Sequence, residues 1–418
     1  MKKAIKILVI TIGIILILVI GVISYFYVAY NNFSFEDEFQ VNESVLPYFN
    51  ISYDESRNDF RSKSNELVLK YPETKLFEIP VSSNIDTNLT IDFCYIRGSQ
   101  KTDKILILSS GIHGVEGYVG SAVQLFFIDN YINKDLLDKT SILLIHSVNP
   151  YGFKYTRRVT ENNVDLNRNS DIDKELYSTI NEGYPKVYNL INPTRTVEPH
   201  SLRNRFFFIK AIKAIVKESM PVLRQAVLQG QYEYPSGLYY GGNDFEPQIK
   251  NMALSIDTIC DPYKTVFAID LHTGYGERGK LHLFPNPVEE SVKKRMESVF
   301  EGFHIDWGDS DDFYTYSGDF VSYIQKINND KIFIPMLFEY GTMDSRKTLG
   351  SIKSLHTMIL ENQGEYYGYN ANEDREKVKH DFIEMYNPSS DSWKSQIMNE
   401  TKIVFDKSLK RFSELEFQ

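Results

Sequence analysis

Residues 104–124 read KILILSSGIHGVEGYVGSAVQ, and the fold class turns on how that stretch is parsed. Ile105 to Leu108 form an unbroken apolar run closed by Ser109, Ser110 and Gly111. A short apolar run bounded by turn residues reads as a strand buried on both faces. A polar loop carrying His113 and Glu116 follows, and a second apolar segment over 119–133 reads as a helix. Strand, loop and helix in succession form the repeating unit of layered α/β proteins. Outward from it lie five more runs of the same kind: TKLFEIPVS (74–82), LTIDFCYIRG (89–98), TSILLIHSVNP (140–150), KTVFAIDLHTG (264–274) and KIFIPMLFEYGT (331–342). Helical periodicity is expected over 54–70, 203–229, 287–302, 349–362 and 391–413. The stretch 203–229 mixes Lys210, Lys213 and Lys217 with Phe206 to Phe208, and is expected to be a core-facing amphipathic helix rather than a membrane-surface one. The pattern predicts an α/β fold, a mixed, mostly parallel twisted sheet with helices on both faces, preceded by one transmembrane helix.

The chain has 418 residues, 42% hydrophobic and 24% charged, a globular composition with ample core material. Its formal charge of -10 argues against a nucleic-acid partner, which needs a concentrated basic surface. Cys94 and Cys260 are too few for a disulfide framework or a cysteine metal cluster and are expected to be buried thiols. From Ile7 to Ala29 there is no charged residue. About 20 apolar residues span a bilayer core as a helix. Lys2, Lys3 and Lys6 precede this run and Glu36, Asp37 and Glu38 follow it, so the N-terminus is expected in the cytoplasm and the rest of the chain outside. A cleaved signal peptide has a shorter apolar core and a small-residue cleavage site, whereas this run ends in SYFYVAY (24–30). An uncleaved single-pass anchor in the cell membrane is therefore expected. The organisation read from the chain is a cytoplasmic tip and anchor over 1–30, a linker over 31–46 and one domain over 47–418.

Three apolar runs end in residues that bind metals or move protons, and in open α/β sheets ligands sit beyond the carboxyl ends of the strands. KILILSSG leads to His113 and Glu116, KTVFAIDLHTG carries Asp270 and His272, and KIFIPMLFEYGT carries Glu339. A catalytic zinc takes three protein ligands from imidazole and carboxylate groups and leaves a fourth position open. His113, Glu116 and His272 supply such a set, with Gly114 and Gly117 permitting a close turn between the first two. Asp270 is a candidate acceptor for a ring N–H of His272, or a loop cap. His146 and His282 are read as structural. Neither a G-x-S-x-G elbow nor a phosphate-binding glycine loop occurs, so serine-hydrolase and nucleotide chemistry lack support.

The motifs SSGIHGVEGYVGSAVQ, NPYGFKYTRRVTENNVDLNRN, DLHTGYGERG and FEYGT, in that order, resemble the zinc carboxypeptidase superfamily, which includes the succinylglutamate desuccinylase and aspartoacylase enzymes. The likeness is nearest to a bacterial branch filed as a domain of unknown function and runs from about Tyr48 to Phe412. It implies one zinc per chain on His113, Glu116 and His272, with Glu339 as the base that activates water. It further implies that Asn167 and Arg168 grip a substrate carboxylate, that Arg157 or Arg158 polarises the scissile carbonyl, and that Tyr314 or Tyr316 closes over the substrate. The expected activity is hydrolysis of a peptide-type amide bond in a substrate with a free carboxylate. Two rivals are an amidase or deacylase of small N-acyl amino acids, and a surface binding or sensor protein without turnover. Retention of all four zinc-site residues argues against the last.

Overall fold

The structure is a computed structural model describing residues 2–307 and 316–417; Tyr314 lies outside the described residues. Seven strands form one sheet: β1 (Lys75–Pro80), β2 (Thr90–Ile96), β3 (Lys104–Ser110), β4 (Ser141–His146), β5 (Thr265–Gly274), β6 (Leu281–Leu283) and β7 (Ile332–Gly341). They lie in the order β1-β2-β4-β3-β5-β7-β6. The central four, β4, β3, β5 and β7, run parallel, while β2, paired antiparallel to β1 and β4, and β6, antiparallel to β7, complete a mixed sheet.

The unbroken apolar runs resolve into two alternating sets, because successive strand side chains leave opposite faces. Leu106, Leu108, Leu144, Ile269 and Phe338 pack on one face with helix Gly117–Tyr131 and helix Asp391–Glu414. Ile105, Ile107, Leu143, Val266 and Leu337 pack on the other with helices Pro247–Cys260 and Phe320–Ile327. Each such side chain is worth about 1.5–3 kcal/mol when fully buried. That two-sided cover explains why these strands carry almost no polar residue until their carboxyl ends. Trp393 is fully buried and donates Nε1–H to Gly341 O, tying the C-terminal helix to the end of β7. Both cysteines are buried and free.

Helix Tyr53–Lys70 starts at a Ser52 cap and forms where periodicity predicts it. The stretch 203–229 departs from expectation. It forms three helices, Leu202–Arg205, Phe207–Glu218 and Met220–Leu228, separated at Phe206 and Ser219. Pro221 is the cause of the second break: a proline ring collides with the carbonyl four residues back, so the helix through Lys217 cannot continue, and Ser219 turns with φ 69°. Helices Pro247–Cys260 and Asn372–Tyr386 are additions that periodicity did not single out.

At the N-terminus one helix, Lys2–Asn31, is long and apolar enough to cross a membrane. Most of its length is solvent-exposed, with Ile17 at 71%. Its last turns pack on the domain: Tyr27 lies against Phe206 with centroids 4.9 Å apart, Tyr30 against Phe208 at 5.6 Å, and the Tyr30 hydroxyl meets Nδ1 of His356.

Candidate metal centre

β3 hands the chain to β4 on one side while β5 lies on its other side, so the sheet has a switch point beyond the carboxyl ends of β3 and β5. His113 leaves β3 into a short 3-10 turn, Gly114–Glu116. That turn is pinned by Gly114 N–H on Arg158 O (3.0 Å) and Val115 N–H on Arg157 O (2.9 Å). Gly114 is required there, since a Cβ on it would lie 2.1 Å from the Gly152 carbonyl carbon. On β5 and β7 the register sets His272 opposite Glu339, and strand alternation puts both on the face away from Phe338 and Tyr340.

His113, Glu116 and His272 are buried and offer ligand atoms that all lie within 4.8 Å of one another. Nδ1 of His113 is 2.9 Å from Glu116 Oε1, and Nδ1 of His272 is 3.1 Å from Glu116 Oε2. The far nitrogens meet carboxylates: His272 Nε2 lies 2.7 Å from Asp270 Oδ2, and His113 Nε2 lies 3.2 Å from Asp165 Oδ1. Ser109 Oγ–H donates to the other oxygen of Asp270 at 2.6 Å. Arg158 Nη2 also approaches His113 Nε2, at 2.6 Å, so a donor and an acceptor compete for that nitrogen. Arginine can only donate, so Nε2 accepts from Arg158 and His113 carries its ring proton on Nδ1, donated to Glu116 Oε1, while Asp165, fully buried and held by Arg158 Nε at 3.0 Å, balances the charge beside it. At His272 the Nε2–H is given to Asp270, which leaves its Nδ1 lone pair facing Glu116 Oε2. Facing acceptors need positive charge on or between them, supplied by ring protons or by a cation. The donor set thus fits a divalent metal of the zinc type, and histidine ligands backed by carboxylates are the usual support for one.

The electrostatics run in opposite directions at neighbouring groups. Burial pushes the Glu116 carboxyl up, but the two histidines outweigh it and hold the group well below the usual carboxylate range. Burial, followed by the charge of Glu116, pushes Glu339 up to about 8. Burial pulls His272 down, yet the charge and hydrogen bond of Asp270 carry it well above the ordinary imidazole value. Glu339 accepts Tyr275 N–H at 2.9 Å, and Glu116 accepts Thr273 N–H at 3.1 Å.

One cavity is lined by His113, Glu116, Arg158, Asn167, Arg168, His272, Tyr316 and Glu339 together. Arg157 is a correction to the site expected from sequence. It is buried away from this cavity, with Nε on Glu361 at 3.1 Å and Nη2 on Asn163 at 3.2 Å, so the neighbouring Arg158 alone of the pair reaches the centre. Asn167 Oδ1 accepts Phe320 N–H (2.9 Å). Arg168 donates to the carbonyls of Asn167, Gln229 and Leu228, with its guanidinium carbon 4.0 Å over the Tyr316 ring. His146 stacks on Phe60 (4.6 Å), and His282 accepts Glu277 N–H (2.9 Å); neither lines the cavity. Sequence reasoning missed Asp165, although it opens the DLNRN motif and its acidic type two residues before Asn167 was the available signal. It also missed Tyr239, 5.1 Å under the Arg158 guanidinium, and the cavity-lining Tyr386. Both are aromatic residues in a tyrosine-rich chain with no spacing to mark them.

No curated protein matches this chain. Among solved structures it is similar to carboxypeptidase A from Helicoverpa armigera (14% identity, 87% of this chain and 80% of that one, TM-score 0.38). It is also similar to bovine thrombin-activatable fibrinolysis inhibitor in complex with tick carboxypeptidase inhibitor (14%, 76% and 99%, TM-score 0.38). A third is succinylglutamate desuccinylase/aspartoacylase from Rhodobacter sphaeroides (11%, 71% and 65%, TM-score 0.34). Likeness at these scores carries no argument about activity. The family model described as "Protein of unknown function (DUF2817)" matches residues 49–400, most of the chain, and the protein is a member of that family.

Proposed function

We propose that this protein is a zinc-dependent hydrolase of a peptide-type amide bond, built on His113, Glu116 and His272 with Glu339 as the proton carrier. The observation that carries the reading is the convergence of two carboxylate-backed imidazoles on one buried carboxylate, in a cavity shared with a second, electrostatically distinct carboxyl group. His113, Glu116 and His272 would hold the zinc, which would supply a Lewis acid for the carbonyl and for the acidity of water. Glu339 takes the proton from the attacking water and returns it to the leaving nitrogen. Its raised affinity for protons suits it to both halves of that duty, and a nearby cation draws it toward ionisation. Arg158 stands at the cavity wall with a fixed charge for the developing oxyanion. Asn167 is our candidate for the substrate's carboxylate. Arg168 joins it as a positive charge, although three of its N–H groups already bind backbone carbonyls. Tyr316 is proposed to pack over the bound substrate.

An amidase or deacylase of N-acyl amino acids uses the same machinery, and the apolar cavity described below favours it over a peptidase acting on polar chains. The reading places the enzyme at the cell membrane with its catalytic domain over 47–418 outside. Metal analysis of the purified chain, with release assays on C-terminal peptides and on N-acyl amino acids, tests it. Stoichiometric zinc and amide hydrolysis lost with chelation are expected; a metal-free, fully folded protein would overturn it.

A further inference from the structure

The cavity at the metal centre does not stop at polar residues. It is also walled by Ala211 and Ile215 of helix Phe207–Glu218, Leu223 and Val227 of helix Met220–Leu228, and Ile352 and Met358 of helix Thr348–Tyr367. That wall is mostly hydrocarbon, interrupted by Arg224, Ser351 and Ser354, and a site for a polar peptide needs no such extension. The outer side of the same helices is equally unusual. Ile209, Val216 (81% exposed) and Val222 present large apolar side chains to solvent, and Leu202 (72%) on the preceding helix Leu202–Arg205 does the same. Ile209 and Val216 are seven residues apart on one helix, hence on one face, with Lys210, Lys213 and Lys217 beside them. A helix with an apolar face and lysines flanking it is the pattern of an interfacial membrane element. The helix Lys2–Asn31 packs on this same corner, through Tyr27 against Phe206 and Phe26 against Phe208, so the membrane-spanning segment brings the corner to bilayer level.

We infer that the cavity continuing from the metal centre is a hydrocarbon site, and that the substrate is an N-acyl compound with a long alkyl chain taken up from the bilayer. This rests on the amide-hydrolase reading for the bond cleaved but not for the chain bound. Each CH2 moved from water into such a site is worth roughly a fourfold gain in affinity, so length dependence is the signature.

The test uses the full chain, zinc-loaded, in phosphatidylcholine and phosphatidylglycerol vesicles. The probes are N-acetyl, N-decanoyl and N-hexadecanoyl glycine, the last also with a diazirine near its chain end for photocrosslinking. Expected are a kcat/KM at least about 100-fold higher for decanoyl than for acetyl, and crosslinks on residues 211–227 facing the cavity. Ala214→Trp, at a half-buried wall position, should cut decanoyl hydrolysis at least tenfold more than acetyl hydrolysis. Should it misfold, crosslinking to the unaltered chain still decides. Hydrolysis indifferent to chain length, or crosslinks confined to residues 7–29, overturns the inference and leaves the hydrolase reading standing. Crosslinks inside the cavity without hydrolysis of any probe leave the hydrocarbon site standing and remove the amide chemistry.

Discussion

Glu116 and Glu339 share one cavity, and their surroundings push them apart: one is held ionised by two imidazoles, the other holds its proton to about 8. Such a split is how paired carboxylates come to divide structural and proton-transfer duties. Glu339→Gln keeps the shape and the hydrogen bond from Tyr275, so zinc content by mass spectrometry should be unchanged while kcat falls about 10² to 10⁴-fold. Parental turnover with zinc present would remove Glu339 from the mechanism. Asp165 and Asp270 are expected to act through the histidines they touch. Asp165→Asn and Asp270→Asn should each weaken zinc affinity about 10 to 100-fold, read by competition with a chelating dye. A loss of activity with zinc affinity intact would show a different role.

At the level of elements, the site depends on a turn that fits only because nothing projects from Gly114. Gly114→Ala forces the His113–Glu116 turn off the Gly152 backbone, with a cost of about 3 kcal/mol for overpacking against main chain. Thermal unfolding should show that loss together with lowered zinc content; a variant with parental Tm would mean the turn relaxes. The end of β4 carries a second consequence. Burial drops His146 to about 4 from an ordinary 6.5. A folded value below the unfolded one means the neutral ring contributes stability that is present above pH 6.5 and lost as pH falls through 4. His146→Gln should flatten the decline in Tm between those limits, and an unchanged slope would assign acid sensitivity elsewhere.

At the scale of the whole molecule, the N-terminal helix, proposed as the anchor, packs on the corner formed by Phe206 and Phe208. Full-length protein should stay in the membrane fraction through a high-salt wash and leave it only with detergent. Deleting residues 1–31 uncovers Phe206 and Phe208 beside the exposed Ile209 and Val216, so the truncated protein should still sediment with vesicles of anionic lipid. Complete recovery of the truncated form free in solution would mean this corner does not touch lipid.

Much of this was legible in the chain because local chemistry fixed it. Uniformly apolar runs such as Ile105–Leu108 need cover on both faces, which predicts layered helices, and His113, Glu116, His272 and Glu339 stand where such runs end. Twenty-three uncharged residues from Ile7 to Ala29 can form little but an apolar helix. What the tertiary structure decided were choices between chemically equal neighbours. Arg157 and Arg158 are identical in type and adjacent, and only the packing of Glu361 against one and Asp165 against the other separates them. Asp165 lies 52 positions from His113 in sequence and becomes its partner only when the turn at Gly114 docks on the Arg157–Arg158 backbone. The apolar part of the cavity wall was hidden for the same reason: Ala211, Val227 and Met358 look like any core residues until three separate helices close them around the candidate metal centre.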